Sequence, residues 1–444
     1  MENWLKFIST KVRGSAVGCA WLARLRSLTG ALLPRLGLTS AVICLVTLSA
    51  FNAGAQYTAR NLVSSTRVYS PLTLDKNLID SWGLAALPES PWWLSAQNTS
   101  TSPLINANGS IVSALPLVYI PCVTSNSGTI TVPCPFPGEG YIDQPGNPSN
   151  PKGNTGIGFG FFGPTGIVAN TFANAFIVRG APALFIWATQ DGLIVAWNQS
   201  VSPITEGVVV ANRFTAPPST LYQGLAIAGP SNNPHLYAAN LAGGIDVFDK
   251  SFALVNTFVP EPDLGRTNPA FEPAGPYGIQ TIGDKLYLTY ISINPKVVLG
   301  GGILDVCDLQ TSTTNPTCHR LFASGLIGNK NNSYFAPILG TPWGIALAPH
   351  DFGPLCDKLL VGNVANGLIN AFDPLTGRYG GTLNLTDGSR FSSPGLWGLA
   401  FGLGNSANGP TNNLFFSSGP SPVSILDSVQ VYGAGLFGVI KPAR

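Results

Sequence analysis

Few residues in this chain are placed to do chemistry. Six short phrases of the form x-Gly-[Leu/Ile] recur, and the residue before the glycine is Trp82, Thr165, Gln223, Tyr277, Trp343 or Trp397. Four aromatics, an amide and a hydroxyl make no acid–base pair, but rings gathered at one opening suit stacking on a sugar or capping a cation. The same rings could pack on one another as ordinary core, and both readings stand at this level. The three histidines, His235, His319 and His350, lack the H-x-H and H-E-x-x-H spacings of a zinc site and read as surface residues. No G-x-S-x-G elbow occurs. Gly158 to Gly163 spells G-x-G-x-x-G, yet a Gly/Pro/Asn loop precedes it and Pro164-Thr165-Gly166 follows, so the strand and helix of a phosphate cradle are missing. No metal and no cofactor is implied.

Repetition separates structural polar residues from functional ones. Asp249, Asp308 and Asp373, with Asn198 as the fourth, each follow an aromatic or Cys at one place in the repeat. A catalytic carboxylate would belong to one unit, so these read as turn residues that bond their own backbone. Asn240 and Asn363 match each other, with Ala188 in their place in the second unit. Two cysteine pairs flank short polar loops, Cys122 with Cys134 and Cys307 with Cys318, and read as disulfides that staple hairpins; Cys356 is left over as a small buried filler. The five N-x-[Ser/Thr] sites start at Asn98, Asn108, Asn198, Asn331 and Asn384.

The elements that carry these residues follow from the spacing. Successive repeated glycines lie 83, 58, 54, 66 and 54 residues apart. Downstream of several copies runs a hairpin of two apolar strands, as in Leu184 to Asn198, Leu236 to Asp249 and Leu359 to Asp373, with Asp191-Gly192, Gly243-Gly244 and Asn366-Gly367 at the turn. One such unit cannot bury both faces of its sheet, whereas six arranged radially can. The fold expected is therefore all-β, a six-bladed β-propeller with blades starting near 82, 165, 223, 277, 343 and 397. The last blade has room for three strands, so Tyr57 to Ser65 is expected to close it from the N-terminal side. Residues 116–159 and 310–337 read as insertions in blades one and four.

Composition supports a β fold, since 51 Gly and 37 Pro break helices and only 10% of residues are charged. Residues 1–35 carry six basic side chains and one acidic, then Leu36 to Phe51 is apolar and Ala53-Gly54-Ala55 follows. This is the build of a secretory signal, with cleavage expected after Ala55 and a single domain over 56–444. An uncleaved anchor would need about 20 apolar residues, more than that run supplies. Taking those six cations and one anion from the 23 and 21 of the whole chain turns its net charge from +2 to −3. The basic excess thus belongs to the leader and gives no reason to expect nucleic acid. No later run is long enough to span a membrane. The expected location is secreted, periplasmic or cell-surface.

Several stretches carry a resemblance: Tyr57-Thr-Ala-Arg-Asn-Leu-Val-Ser-Ser65, Trp343-Gly-Ile-Ala-Leu-Ala-Pro349, Asn370-Ala-Phe-Asp-Pro-Leu-Thr-Gly377, Leu396-Trp-Gly-Leu399 and Gly435-Leu-Phe-Gly-Val-Ile440. With them the chain resembles an uncharacterised family of exported bacterial six-bladed β-propeller proteins, and more distantly it is similar to NHL-repeat and gluconolactonase-like propellers. The near resemblance implies fold and export, and no activity. In the gluconolactonase-like propellers the residue before the repeated glycine points into the channel mouth and supplies acidic and amide ligands to a divalent metal. This chain has no carboxylate at those six positions. The expectation is a non-enzymatic binding or interaction scaffold using the channel mouth or insertion loops, with a small molecule, glycan or protein as partner. The alternative is a gluconolactonase-like or lyase enzyme with a metal in the channel.

Overall fold

Each x-Gly-[Leu/Ile] phrase lies on the innermost strand of a sheet: Ser81–Ala85, Pro164–Ala169, Tyr222–Ala228, Ala274–Ile282, Pro342–Leu347 and Leu396–Phe401. A computed structural model describes residues 56–125, 127–134, 163–215, 220–260, 274–292, 301–324, 338–393, 395–419 and 434–443. From five of these inner strands the chain steps outward through three more antiparallel strands. The sixth sheet gathers Leu396–Phe401, Leu414–Ser418 and Leu436–Pro442, then takes Tyr57–Ser64 antiparallel as its next strand and the short Thr73–Leu74 parallel beyond it. The register runs from Tyr57 opposite Pro442 to Ser64 opposite Leu436. Tyr57 also reaches blade five, where its hydroxyl donates to Phe352 O at 2.8 Å and accepts from Leu355 N at 2.9 Å. Among the described residues the only helical turns are three short 3-10 segments, so the molecule is an all-β six-bladed propeller.

The repeated glycines have a steric reason. A Cβ on Gly83 would strike the Thr165 carbonyl, one on Gly224 the Tyr277 carbonyl, one on Gly278 the Trp343 carbonyl and one on Gly344 the Trp397 carbonyl. Gly166 abuts the Gly224–Leu225 backbone, and Gly398 abuts the Trp82 carbonyl and so closes the circle. Inner strands therefore meet backbone to backbone, which only a residue without a side chain permits. Hydroxyls tie adjacent blades together there: Thr165 Oγ1 to Tyr222 O at 2.9 Å, Thr289 Oγ1 to Pro342 O at 2.7 Å, and Ser417 Oγ to Trp82 O. Between the sheets the core is aromatic, with Trp93 on Phe185 at 4.3 Å and Trp92 on Phe415 at 5.0 Å between centroids.

Two expectations change. Leu117–Tyr119 is the fourth strand of blade one and Thr317–Ala323 the fourth of blade four, so each stretch read as an insertion begins with or contains a blade strand. Both strands lie at the outer edge, one only three residues long and the other half exposed, and neither shows a clear alternation. Cys122 and Cys134 are bonded, around a small hairpin of Cys122–Val123 with Ile130–Thr131. Cys307 and Cys318 are bonded as directly opposed residues of the two outer strands of blade four. Cys356 is not a free filler. It is half-buried and disulfide-bonded. The leader and cleavage site expected in residues 1–55, and Gly158 to Phe162 of the glycine-rich phrase, also lie outside the described residues.

Candidate channel-mouth site

In every blade the ladder between first and second strands slips at the repeated phrase. The residue before the glycine falls inside that slip, and such bulges re-aim side chains. Trp82, Tyr277, Trp343 and Trp397 meet as one cluster, with Leu241, Ile291 and Val364 against it. Leu241 and Val364 directly follow the second strands of blades three and five, so the cluster lies at the mouth where those hairpins turn. Trp82 stacks on Trp397 at 3.6 Å between centroids, and Trp343 meets both edge-on at 6.1 and 6.0 Å. Tyr277 stands 5.7 Å from Trp397 and 6.2 Å from Trp82. Only 5–9% of each residue is exposed. The four rings therefore pack on one another at the mouth, and only a small part of each is open to a ligand.

The other two repeat positions differ from the rings and from each other. Thr165 is fully buried and its hydroxyl faces the carbonyls of Ala188 and Tyr222, so it is a strut between blades. Gln223 is 1% exposed; its carbonyl accepts the Trp343 indole N–H at 2.9 Å, while its side-chain Nε2 has no partner. The indole N–H groups of Trp82 and Trp397 also lack a hydrogen bond of ordinary length.

Both of those N–H groups act on a carboxylate that the six-position reading passes over. Asp80, two residues before Trp82, keeps part of its surface open yet stands deep between blades one and six; its carboxylate lies where a Cβ on Gly419 would be. Burial pushes the Asp80 carboxyl up to about 6, against the pull of the Trp82 and Trp397 indoles. Burial, then the Asp80 charge, pushes the Tyr277 hydroxyl up as well. Asp80 has a left-handed backbone, φ 51°, as do its counterparts Thr341 at 53° and Gly395 at 68°. The equivalent Gly163, Leu221 and Gly275 are not left-handed, so three blades share that conformation, and among the six positions blade one alone holds a carboxylate. That departure was visible in the sequence two positions upstream of the aromatics.

The remaining polar residues are structural. The Oδ1 atoms of Asn198, Asp249, Asp308 and Asp373 accept from backbone N–H groups of their own turns, at 2.8 Å from Ser200, 2.8 Å from Ser251, 3.0 Å from Gln310 and 3.0 Å from Thr376. Asn240 and Asn363 accept from Leu221 N and Gly340 N and so hold the loops entering their inner strands. Register places Thr189, not Ala188, at the matching place in blade two, because Thr189 opposes Pro164 as Asn363 opposes Pro342. Asp191 is fully buried at the blade-two turn; its carboxylate takes the Thr189 hydroxyl and Val123 N–H, and burial pushes it up to about 7. Through Val123 it docks the Cys122–Cys134 hairpin onto blade two. Of the histidines, His235 is buried rather than at the surface, because it opens a second strand, and His350 pairs with Asp357 at 2.9 Å. Among the described residues no three His, Cys, Asp or Glu side chains gather as a metal site.

No family model matches the chain. Two uncharacterized proteins of Acanthamoeba polyphaga mimivirus are similar in sequence, one 31% identical over 247 residues and the other 30% identical over 248. Each match covers 53% of this chain, which spans 56% and 60% of those relatives' lengths. Among solved structures, virginiamycin B lyase from Staphylococcus aureus aligns over 87% of this chain and 99% of its own, at 11% identity and a TM-score of 0.38. The PQQ-bound aldose sugar dehydrogenase of Streptomyces coelicolor aligns over 88% and 99%, at 13% identity and a TM-score of 0.42. A protein of unknown function from Bacteroides thetaiotaomicron aligns over 88% and 77%, at 9% identity and 0.45. At these values the likeness is one of general shape alone.

Proposed function

We propose that the chain is an exported, non-enzymatic propeller that binds a ligand at the channel mouth built by Trp82, Tyr277, Trp343, Trp397 and Asp80. The observation that carries this reading is the set of polar groups left at a closely packed mouth. The Gln223 amide Nε2 is buried without a partner, the Trp82 and Trp397 N–H groups meet the Asp80 carboxylate with poor geometry, and buried polar groups are costly until something satisfies them. A divalent cation suits this set poorly, because calcium takes six to eight oxygen ligands and magnesium an octahedral oxygen shell. Among the described residues the mouth offers one carboxylate and one amide, with the Trp82 and Trp397 N–H groups turned toward that carboxylate. Export is supported by the basic leader and apolar run before Gln56, and by two disulfides, which persist in oxidising compartments. Among the described residues no helix is long and apolar enough to cross a membrane. The test of the non-enzymatic reading is the divalent metal content of the purified, folded protein. Substoichiometric metal is expected; one tightly held ion per chain in the channel would favour the hydrolase or lyase alternative.

A further inference from the structure

The strap that closes the ring carries an open edge of its own, independent of how the mouth is read. After Ser64 the chain makes a 3-10 turn over Arg67–Tyr69 and returns as Thr73–Leu74, the outermost strand of blade six. The turn is held in place, since Ser70 N–H donates to Arg67 O at 2.9 Å and Asn61 Nδ2 to Tyr69 O at 2.7 Å. Beside it lies an open cavity of about 480 Å³, lined by Arg67, Ser70, Pro71, Leu72, Thr73 and Leu74. Val68, Leu72 and Leu74 are 52%, 49% and 40% exposed, which makes a local apolar patch. Among the described residues no strand pairs beyond Thr73–Leu74. Asp75 N–H donates inward to Ser64 O at 3.0 Å, and backbone groups alternate in direction along a strand, so those of Leu74 face the open side. The charges there have one sign. Residues 57–74 include Arg60 and Arg67 and no acid; Lys76 follows, and the intervening Asp75 is buried and accepts from Asn77. Arg67 and Lys76 are exposed and without an ion pair among the described residues.

A small anion would answer Arg67 alone. A lipid surface would meet the apolar side chains and the cations, but would leave the backbone groups of the edge unpaired. An extended peptide answers all three, by pairing along the edge, by apolar side chains against Leu72 and Leu74, and by carboxylates at the cations. We infer that the outer edge of blade six docks an extended acidic segment of a partner protein, added as a further strand beyond Thr73–Leu74. Arg67 then selects for acidic partners, and the Leu74 backbone supplies the pairing groups.

The test is fluorescence polarisation of the full, purified protein with three pools of labelled octapeptides, in which apolar residues vary at alternate positions and the others are fixed as Glu, Gln or Lys. It is repeated with Arg67→Glu and Leu74→Pro. Arg67 is exposed and unpaired, and proline is tolerated at an edge position whose N–H faces solvent, so thermal melts should match the parent. The expected result is that the Glu pool binds best, the Gln pool up to about fivefold more weakly, as befits exposed ion pairs, and the Lys pool more weakly still. Arg67→Glu should invert that order, and Leu74→Pro should weaken every pool by about fivefold, the loss of one hydrogen bond. An order unchanged by Arg67→Glu, or Leu74→Pro binding as the parent does, would overturn the proposal. So would a folded parent that binds no pool, including one that cosediments with phosphatidylserine vesicles instead.

Discussion

At the scale of single residues, three indoles in one cluster have different duties. Trp343 is a strut, because its N–H crosses from blade five to the carbonyl of Gln223 in blade three. Trp343→Phe should therefore cost about 1 kcal/mol, one hydrogen bond, and Trp343→Ala about 3–5 kcal/mol for a truncated buried ring; chemical denaturation of both measures it. The sequence showed which six residues share the repeat position, but could not show that Thr165 spends its hydroxyl on backbone while Trp82 and Trp397 turn their N–H groups toward Asp80. That difference depends on the angle at which each bulge delivers its side chain. Asp80 was legible only as a break in the repeat. Asp191 carries a pH prediction. With its carboxyl at about 7 in the fold against the ordinary 3.8 of a free side chain, the folded chain holds a proton that the unfolded chain has lost between those limits. Stability should thus fall as pH rises from about 4 to about 7, its contribution present in full below that window and gone above it. Asp80 adds the same sign up to about 6. Melting temperature against pH should show a shallower decline in Asp191→Asn; an unchanged slope would contradict the assignment.

At the scale of elements, turns were more legible than edges. Asp191-Gly192 and Asn366-Gly367 mark hairpins because left-handed angles are needed there, and Gly192 and Gly367 have φ of 86° and 68°. The outer strands Leu117–Tyr119 and Thr317–Ala323 gave no comparable signal, since a short or half-exposed edge strand needs little apolar alternation. The pairing of Cys356 was hidden for a simpler reason: no cysteine lies near it in sequence to suggest a loop. The Cys122–Cys134 hairpin is held twice, by its disulfide and by Val123 N–H on Asp191 at 2.6 Å. Replacing both cysteines by alanine should lower stability by about 3 kcal/mol at most, the chain-entropy value for a loop of this size, and leave the hairpin seated on blade two. Urea unfolding with limited proteolysis checks both parts: a double variant as stable as the parent, or one cut within the hairpin, would contradict them.

At the scale of the whole molecule, a ring of blades is only as closed as its last sheet. Tyr57–Ser64 pairs with Leu436–Pro442 from the far end of the chain, and Tyr57 anchors to blade five. Removing Tyr57–Leu74 should leave an open strand edge and an uncovered face of blade six, with loss of a cooperative melt and aggregation; a variant that still melted cooperatively would show that the clasp is dispensable. The six-fold repeat made this architecture readable from sequence, because glycine spacing reports a backbone contact that every blade must make. What the repeat could not reveal is what the closed mouth is for. The account holds that the mouth is a recognition site and more than an aromatic seal between blades. The most direct measurement is affinity on a glycan array alongside melting temperature for Trp82→Phe, which keeps a ring against Trp397 and removes only the N–H turned toward Asp80. The account predicts a nearly unchanged melt with clearly weakened binding. An unchanged affinity together with a markedly lower melting temperature would show that Trp82 serves the seal alone.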